Sequence, residues 1–159
     1  NIGGISPATD SQLPAAGGGY VSLGPGQPAA PHLYLFFATW DQEITSLAGQ
    51  LDALNAYQSA AAAAGLPGLT AVDAGSVEPS DAALPDFLTT LRQPLSYPVA
   101  IDGSGQAADG YGVQGQPWFV LTSASGKVVW SWEVSTSGWP SAARLKQHVQ
   151  EGTNPHVRP

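Results

Sequence analysis

A chain of 159 residues, of which 43% are hydrophobic, is long enough for one domain with a sizeable core. Twelve acidic residues against five basic ones give a net charge of -7, which disfavours binding to nucleic acid or to an anionic membrane surface. The chain has no cysteine, which excludes disulfides, thiolate catalysis and thiolate-bound metals, and no apolar stretch approaches the roughly 20 residues that span a bilayer.

The three histidines, His32, His148 and His156, lie far apart in the sequence and show no metal-binding spacing. We therefore expect no metal and no cofactor.

Residues 1–31 are an irregular mixture of Gly, Pro, Ser and Ala, interrupted by a short apolar patch at Tyr20, Val21 and Leu23. This pattern predicts an extended N-terminal arm with one short strand or hairpin. The chain begins at Asn1 without Met and has a low-charge composition with 19 glycines and 14 prolines. We expect that a leader or upstream region was removed and that the protein is extracytoplasmic, in the periplasm or at the cell surface.

A continuous apolar run at residues 32–37 predicts a strand that is buried on both faces. Asp41 stands where a helix N-cap would, and Glu43 would add negative charge to the first turn. Apolar residues then recur at helical spacing, at Ile44, Leu47, Leu51 and Leu54. The sequence predicts one long helix from Asp41 to Ala64 that ends at Gly65.

Residues 69–72 read as a second buried strand, so the order strand, helix, strand predicts a parallel βαβ unit. A short helix is predicted within 80–91 and another that ends near Tyr111. Strands at 118–122 and 128–134, joined by a glycine-containing loop, should be antiparallel neighbours. A last helix at 141–149 completes a domain spanning 32–150 around a sheet of four or five strands, and residues 151–159 read as a flexible tail.

Three local strings carry a resemblance to a known fold. They are Phe36-Phe37-Ala38-Thr39-Trp40, then Tyr111-Gly112-Val113-Gln114-Gly115-Gln116-Pro117, and then Gly126-Lys127 before an apolar strand. With the predicted order of elements, they resemble the thioredoxin-like superfamily in its TlpA/ResA-like branch of thiol–disulfide oxidoreductases, over roughly residues 18–150. The resemblance implies an α/β fold with a central mixed sheet flanked by helices, an N-terminal extension and a central helical insertion.

The resemblance places Asp41 where the family has its nucleophilic cysteine and Ile44 where it has the resolving cysteine. Asp41-Gln42-Glu43-Ile44 thus replaces the Cys-x-x-Cys motif, and Leu35 stands where some members carry a buried acid. A carboxylate cannot form a sulfur–sulfur bond, so the redox site is degenerate and no catalytic residue is assigned. Apart from the resemblance, Asp41 is explained as a helix cap and Ile44 as a core residue.

In that family, the residue before a cis-proline pairs through its main chain with an extended substrate. The resemblance therefore implies a substrate groove formed by Trp40, Asp41, Gln116 and Pro117, with a cis Gln116–Pro117 bond. The alternative is that Pro117 only shapes a tight turn. Trp130 and Trp132 share one face of a predicted strand, where they either pack under a helix or, if exposed, form a partner surface.

We therefore interpret the chain as a redox-inactive thioredoxin-like domain that binds a peptide or another protein domain, as a module of a larger exported protein. Three alternatives stay open: the thiol–disulfide oxidoreductase or isomerase activity that the family suggests, an enzyme using Asp41 and Glu43 as general acid and base, and a structural spacer. Side chains at i and i+2 do not share a helix face, which weakens the case for acid–base catalysis.

Overall fold

The computed structural model describes residues 11–26, 28–41 and 46–153, with the side chain of Asp41 outside the description. The elements follow in chain order: β1 (Ser11–Pro14), β2 (Tyr20–Leu23), β3 (His32–Phe37), α1 (Leu47–Ala64), β4 (Leu69–Asp73), α2 (Ala83–Leu88), β5 (Val99–Ile101), α3 (Gln106–Gly110), β6 (Trp118–Thr122), β7 (Val128–Glu133), α4 (Val134–Ser137) and α5 (Ala142–Thr153). No helix among these residues is long and apolar enough to cross a bilayer.

Strands β3 to β7 form one mixed sheet in the order β5-β4-β3-β6-β7. β3 pairs with β4 in parallel, β4 pairs with β5 in parallel, and β6 runs antiparallel to both β3 and β7. The α/β fold class, the parallel βαβ unit and the antiparallel hairpin predicted from the sequence are therefore confirmed.

The hairpin β1–β2 lies at the β5 edge of this sheet. Ala15 forms an isolated antiparallel bridge with Ala100, and the main-chain N–H of Ala16 donates to the carbonyl of Val99 at 2.9 Å. The first ten residues of the predicted N-terminal arm lie outside the described residues.

β3 is buried on both faces because it is the central strand of a three-layered domain. Leu33, Leu35 and Phe37 pack into the cluster that contains α1 and α5, whereas Tyr34 and Phe36 pack into the cluster formed with β2 and α3. An unbroken apolar run is the pattern that such a strand requires.

The long helix begins later than the sequence predicts. Asp41 ends a short 3-10 turn, Thr39–Asp41, and α1 begins at Leu47 after Ser46, whose φ of 57° is left-handed. The prediction that Asp41 caps this helix is wrong, while Glu43 and Ile44 lie outside the described residues. The stretch rich in the strong helix formers Leu, Ala and Gln begins at Leu47, where α1 starts.

The C-terminal ends of α1 and α5 have local causes. Gly65, with a φ of 70°, terminates α1 at the predicted position, and the N–H of Leu66 donates to the carbonyl of Ala61 at 2.9 Å. α5 continues to Thr153, so the predicted flexible tail is wrong for residues 151–153; residues 154–159 lie outside the description. Gly152 allows this extension because a Cβ there would clash with the side chain of Leu121.

Candidate functional site

The candidate site lies where the parallel strands β3 and β4 end. We call this end of the sheet the edge of the site, as distinct from the lateral edges of the sheet at β5 and β7. Phe37 and Asp73, the last residues of these strands, are register partners, and Phe36 pairs with Trp118 at the start of β6. The segments that follow β3 and β4 therefore meet the segment that precedes β6 at one edge. Such an edge is where ligands commonly bind in open α/β sheets.

Trp40 and Val77 form an exposed apolar surface at this edge, which we call the Trp40–Val77 patch. Their side chains are 43% and 47% exposed, respectively. The indole Nε1–H of Trp40 donates to the main-chain carbonyl of Val77 at 3.2 Å, which joins the two residues directly. Trp40, which the sequence resemblance assigns to the groove, is thus exposed on the surface.

The loop before β6 brings a second element to the edge. The Gln116–Pro117 peptide bond is cis, and the carbonyl of Pro117 accepts a 3.1 Å hydrogen bond from the N–H of Val134. Pro117 is buried and Gln116 is half-buried. Among the hydrogen bonds of the described residues, none uses the main-chain N–H or C=O of Gln116.

A buried carboxyl group lies directly behind this edge. Asp73 ends β4 and is only 2% exposed, and no N–H or O–H of the described residues donates to its Oδ1. Burial, together with a hydrogen bond to the nearby Glu78 carboxyl and its negative charge, raises the pKa of Asp73 to about 9. Asp73 is therefore protonated at neutral pH and bonds to Glu78 as an uncharged acid.

Glu78 connects this buried acid to the turn after β3. Its carboxylate accepts the main-chain N–H of Thr39 at 2.8 Å and the hydroxyl of Thr39 at 2.6 Å. Bonds to a charged carboxylate are stronger than neutral ones, so Asp73 and Glu78 fix the position of the turn that carries Trp40.

Neither Asp73 nor Glu78 was identified from the sequence. The available signal was the position of Asp73, which directly follows the apolar run predicted as a strand at 69–72. The contact between Asp73 and Glu78 depends on the strand register and on the path of the loop after β4. The residue types alone reveal neither.

Two further tryptophans, which lie on β7, do not belong to this site. Trp130 and Trp132 stack on each other with centroids 6.0 Å apart, and the His148 ring of α5 covers both of them. They pack under a helix, which is the first of the two interpretations of their shared face. In the described part of the chain, no three His, Cys, Asp or Glu side chains are arranged to hold a metal ion.

No family model and no curated protein matches the sequence. Solved structures do match the fold. An exposed lipoprotein thioredoxin of Streptococcus pneumoniae is 19% identical with a TM-score of 0.72, and the match covers 90% of this chain and 99% of that one.

Two further solved structures also match the fold of this chain. A thiol:disulfide interchange protein from Chlorobium tepidum, described as putative, is 23% identical over 93% of this chain and 96% of its own, with a TM-score of 0.68. StoA from Bacillus subtilis is 18% identical over 90% and 97% of the two chains, with a TM-score of 0.69.

The chain has a thioredoxin-like fold. This confirms the fold that the three sequence strings suggest. Two of these structures are described as a thioredoxin and a thiol:disulfide interchange protein, whereas this thioredoxin-like chain has no cysteine with which to form a disulfide. Acid–base catalysis by Asp41 and Glu43 would depend on side chains outside the described residues.

Proposed function

We propose that this chain is a redox-inactive thioredoxin-like domain that binds an extended peptide segment of another protein. The segment lies across Trp40 and Val77 and pairs with the main chain of Gln116. In the same proposal, the domain is a module of a larger exported protein in the periplasm or at the cell surface. The similarity to an exposed lipoprotein supports that location.

The observation that carries the proposal is the position of Gln116. Its main-chain groups take part in no hydrogen bond of the described residues, and it precedes the strand that pairs with β3. A half-buried residue whose main-chain groups bond to none of the described residues can pair with an added extended chain, since main-chain bonds supply affinity in that mode of recognition.

The Trp40–Val77 patch supplies the apolar contact that such a segment needs. Single exposed apolar residues are common on protein surfaces, but here two large ones are joined by a hydrogen bond at the same edge. Tryptophan is among the residues that most often dominate binding energy. The acids behind the patch hold the turn in place, which reduces the entropy lost on binding.

A displayed library of random cysteine-free peptides tests the proposal. Peptides enriched on the wild-type domain should bind the Trp40→Ser/Val77→Ser variant about tenfold or more weakly, as expected for loss of a central aromatic contact. Tyr20→Ser is the matched control, because Tyr20 is 73% exposed but lies on the N-terminal hairpin. Equal binding to all three proteins, or no enrichment above an empty support, would contradict the proposal.

A further inference from the structure

The charged residues at the sheet edge that carries the Trp40–Val77 patch are all acidic. The described segments that reach this edge are 38–41 after β3, 74–82 after β4, 102–105 after β5, 111–117 before β6 and 134–141 after β7. Their sequences contain no Lys, Arg or His, and their charged residues are Asp41, Glu78, Asp81 and Asp102.

The basic residues of the described chain lie elsewhere. Lys127 is in the β6–β7 turn at the opposite end of the sheet, Arg144 and Lys146 are on α5, and Arg92 follows α2. The described segments at this edge therefore carry acids and no basic residue, and the basic residue that follows them most closely in sequence is Arg144, in the first turn of α5 after 134–141.

The acids at this edge differ in what they can offer a partner. Asp102 is fully buried and accepts hydrogen bonds from the main-chain N–H groups of Ala107 and Ala108 at 3.2 and 3.0 Å, so it caps α3. Glu78 is half-buried and adjoins Val77 in sequence, and Asp81 is exposed. Glu78 and Asp81 are thus the described acids that a bound segment would meet beside the patch.

Apolar and acidic side chains are neighbours at the Trp40–Val77 patch. Trp40 bonds to Val77 while the preceding residue, Thr39, bonds to Glu78, so an exposed apolar pair lies next to a carboxylate. An extended chain presents alternate side chains to one side, and a pattern of apolar and basic residues would complement this surface.

We infer that the partner of this edge is a cationic extended peptide segment, with apolar side chains on Trp40 and Val77 and Lys or Arg side chains facing Glu78 and Asp81. The inference rests on the proposed peptide-binding function and adds the chemistry of the partner. An acidic segment would meet the like charges of Glu78 and Asp81, which makes the surface selective as well as attractive.

Three synthetic peptides with the same apolar residues test the inference, with the alternate positions filled by Lys, by Ser or by Glu. Binding is measured by fluorescence anisotropy at low and at physiological ionic strength. The Lys peptide should bind several-fold to about tenfold tighter than the Ser peptide at low salt, and the advantage should shrink as salt is added. The Glu peptide should bind most weakly.

Asp81→Asn should reduce binding of the Lys peptide without changing binding of the Ser peptide. Glu151→Gln is the matched control, because it removes the same charge from an exposed position near the end of α5. Glu78→Gln should also reduce binding of the Lys peptide. If this variant disturbs the turn that carries Trp40, the Asp81→Asn result decides.

The outcomes separate the two claims. If the Lys and Ser peptides bind equally and both lose affinity in Trp40→Ser, the cationic partner is overturned while the peptide-binding function stands. If no peptide binds, both are overturned. Tightest binding by the Glu peptide, or equal losses in Asp81→Asn and Glu151→Gln, also overturns the inference.

Discussion

The imidazole ring of His148 lies 5.0 Å from the ring of Trp130, at an interplanar angle of 22°, and 5.2 Å from the ring of Trp132. Its Nε2 is buried, and none of the described residues forms a hydrogen bond with it. His148 therefore acts here as an aromatic packing residue that buries a polar atom at some cost.

His148→Ala should destabilise the domain by about 1–3 kcal/mol, because it removes a ring from an aromatic stack. His148→Phe should be at least as stable as the wild type, since it keeps the ring and removes the unpaired nitrogen. Urea unfolding gives the free energies, and near-UV circular dichroism reports the tryptophan stack. Gln150→Ala, at an exposed site on the same helix, is the control. Equal losses in the Ala and Phe variants would show that stacking is not the stabilising contact.

The raised pKa of Asp73 predicts how stability depends on pH. The carboxyl is protonated in the folded protein up to about pH 9, whereas the unfolded chain ionises near its ordinary value of 3.8. Between these values the unfolded state binds fewer protons, so this group lowers stability as pH rises, by at most about 1.4 kcal/mol per pH unit.

Asp73→Asn should remove this contribution. The amide remains uncharged and can still donate to Glu78, so the variant should gain stability relative to the wild type as pH increases from 5 to about 9. Urea unfolding across that range measures the difference, with Asp86→Asn on the exposed side of α2 as a control. A difference that does not change with pH would rule out a neutral Asp73.

The domain should not accelerate reduction of insulin by dithiothreitol, because it has no thiolate to attack a disulfide. Asp41→Cys/Ile44→Cys restores both sulfurs, yet we expect at most slow exchange. α1 begins at Leu47, beyond both positions, and Glu78 places negative charge beside the turn.

Alkylation by iodoacetamide at different pH values tests the reason for slow exchange. The reactive thiol of the double variant should titrate at or above the usual value of about 8.5 for a free cysteine. Ser125→Cys, at an exposed turn, provides the reference thiol. A thiol pKa well below that of the reference would mean that the site still stabilises a thiolate.

Removal of the Asp102 carboxylate should destabilise α3 selectively. Asp102→Ala leaves the N–H groups of Ala107 and Ala108 without their acceptor and should cost about 1–3 kcal/mol. Amide hydrogen exchange should quicken first at these two residues. Asp109→Ala, at an exposed position in the same helix, should have a small effect; equal effects would contradict the capping role.

Strands β3 and β6 were predictable because burial on both faces requires an uninterrupted apolar sequence. The end of α1 was also predictable, since Gly65 adopts a conformation that other residues disfavour. The start of α1 was not, because Asp41 has the residue type of a cap, whereas the helix begins at Leu47 after a left-handed Ser46.

The candidate site was only partly predictable. Trp40, Gln116 and Pro117 were identified through local strings, whereas Asp73 and Glu78 meet through the tertiary fold. Their contact depends on the loop after β4 returning Glu78 to Thr39, and no periodicity in the sequence encodes that return.

The bridge between Ala15 and Ala100 has a consequence for self-association. Growth of a sheet into a fibre requires two open edges, and here the N-terminal hairpin covers the β5 edge while β7 ends the other side. If two copies joined through β7, each would present a covered edge outward, and the assembly would close at two chains. A few residues of hairpin thus make open-ended polymerisation through this sheet geometrically difficult.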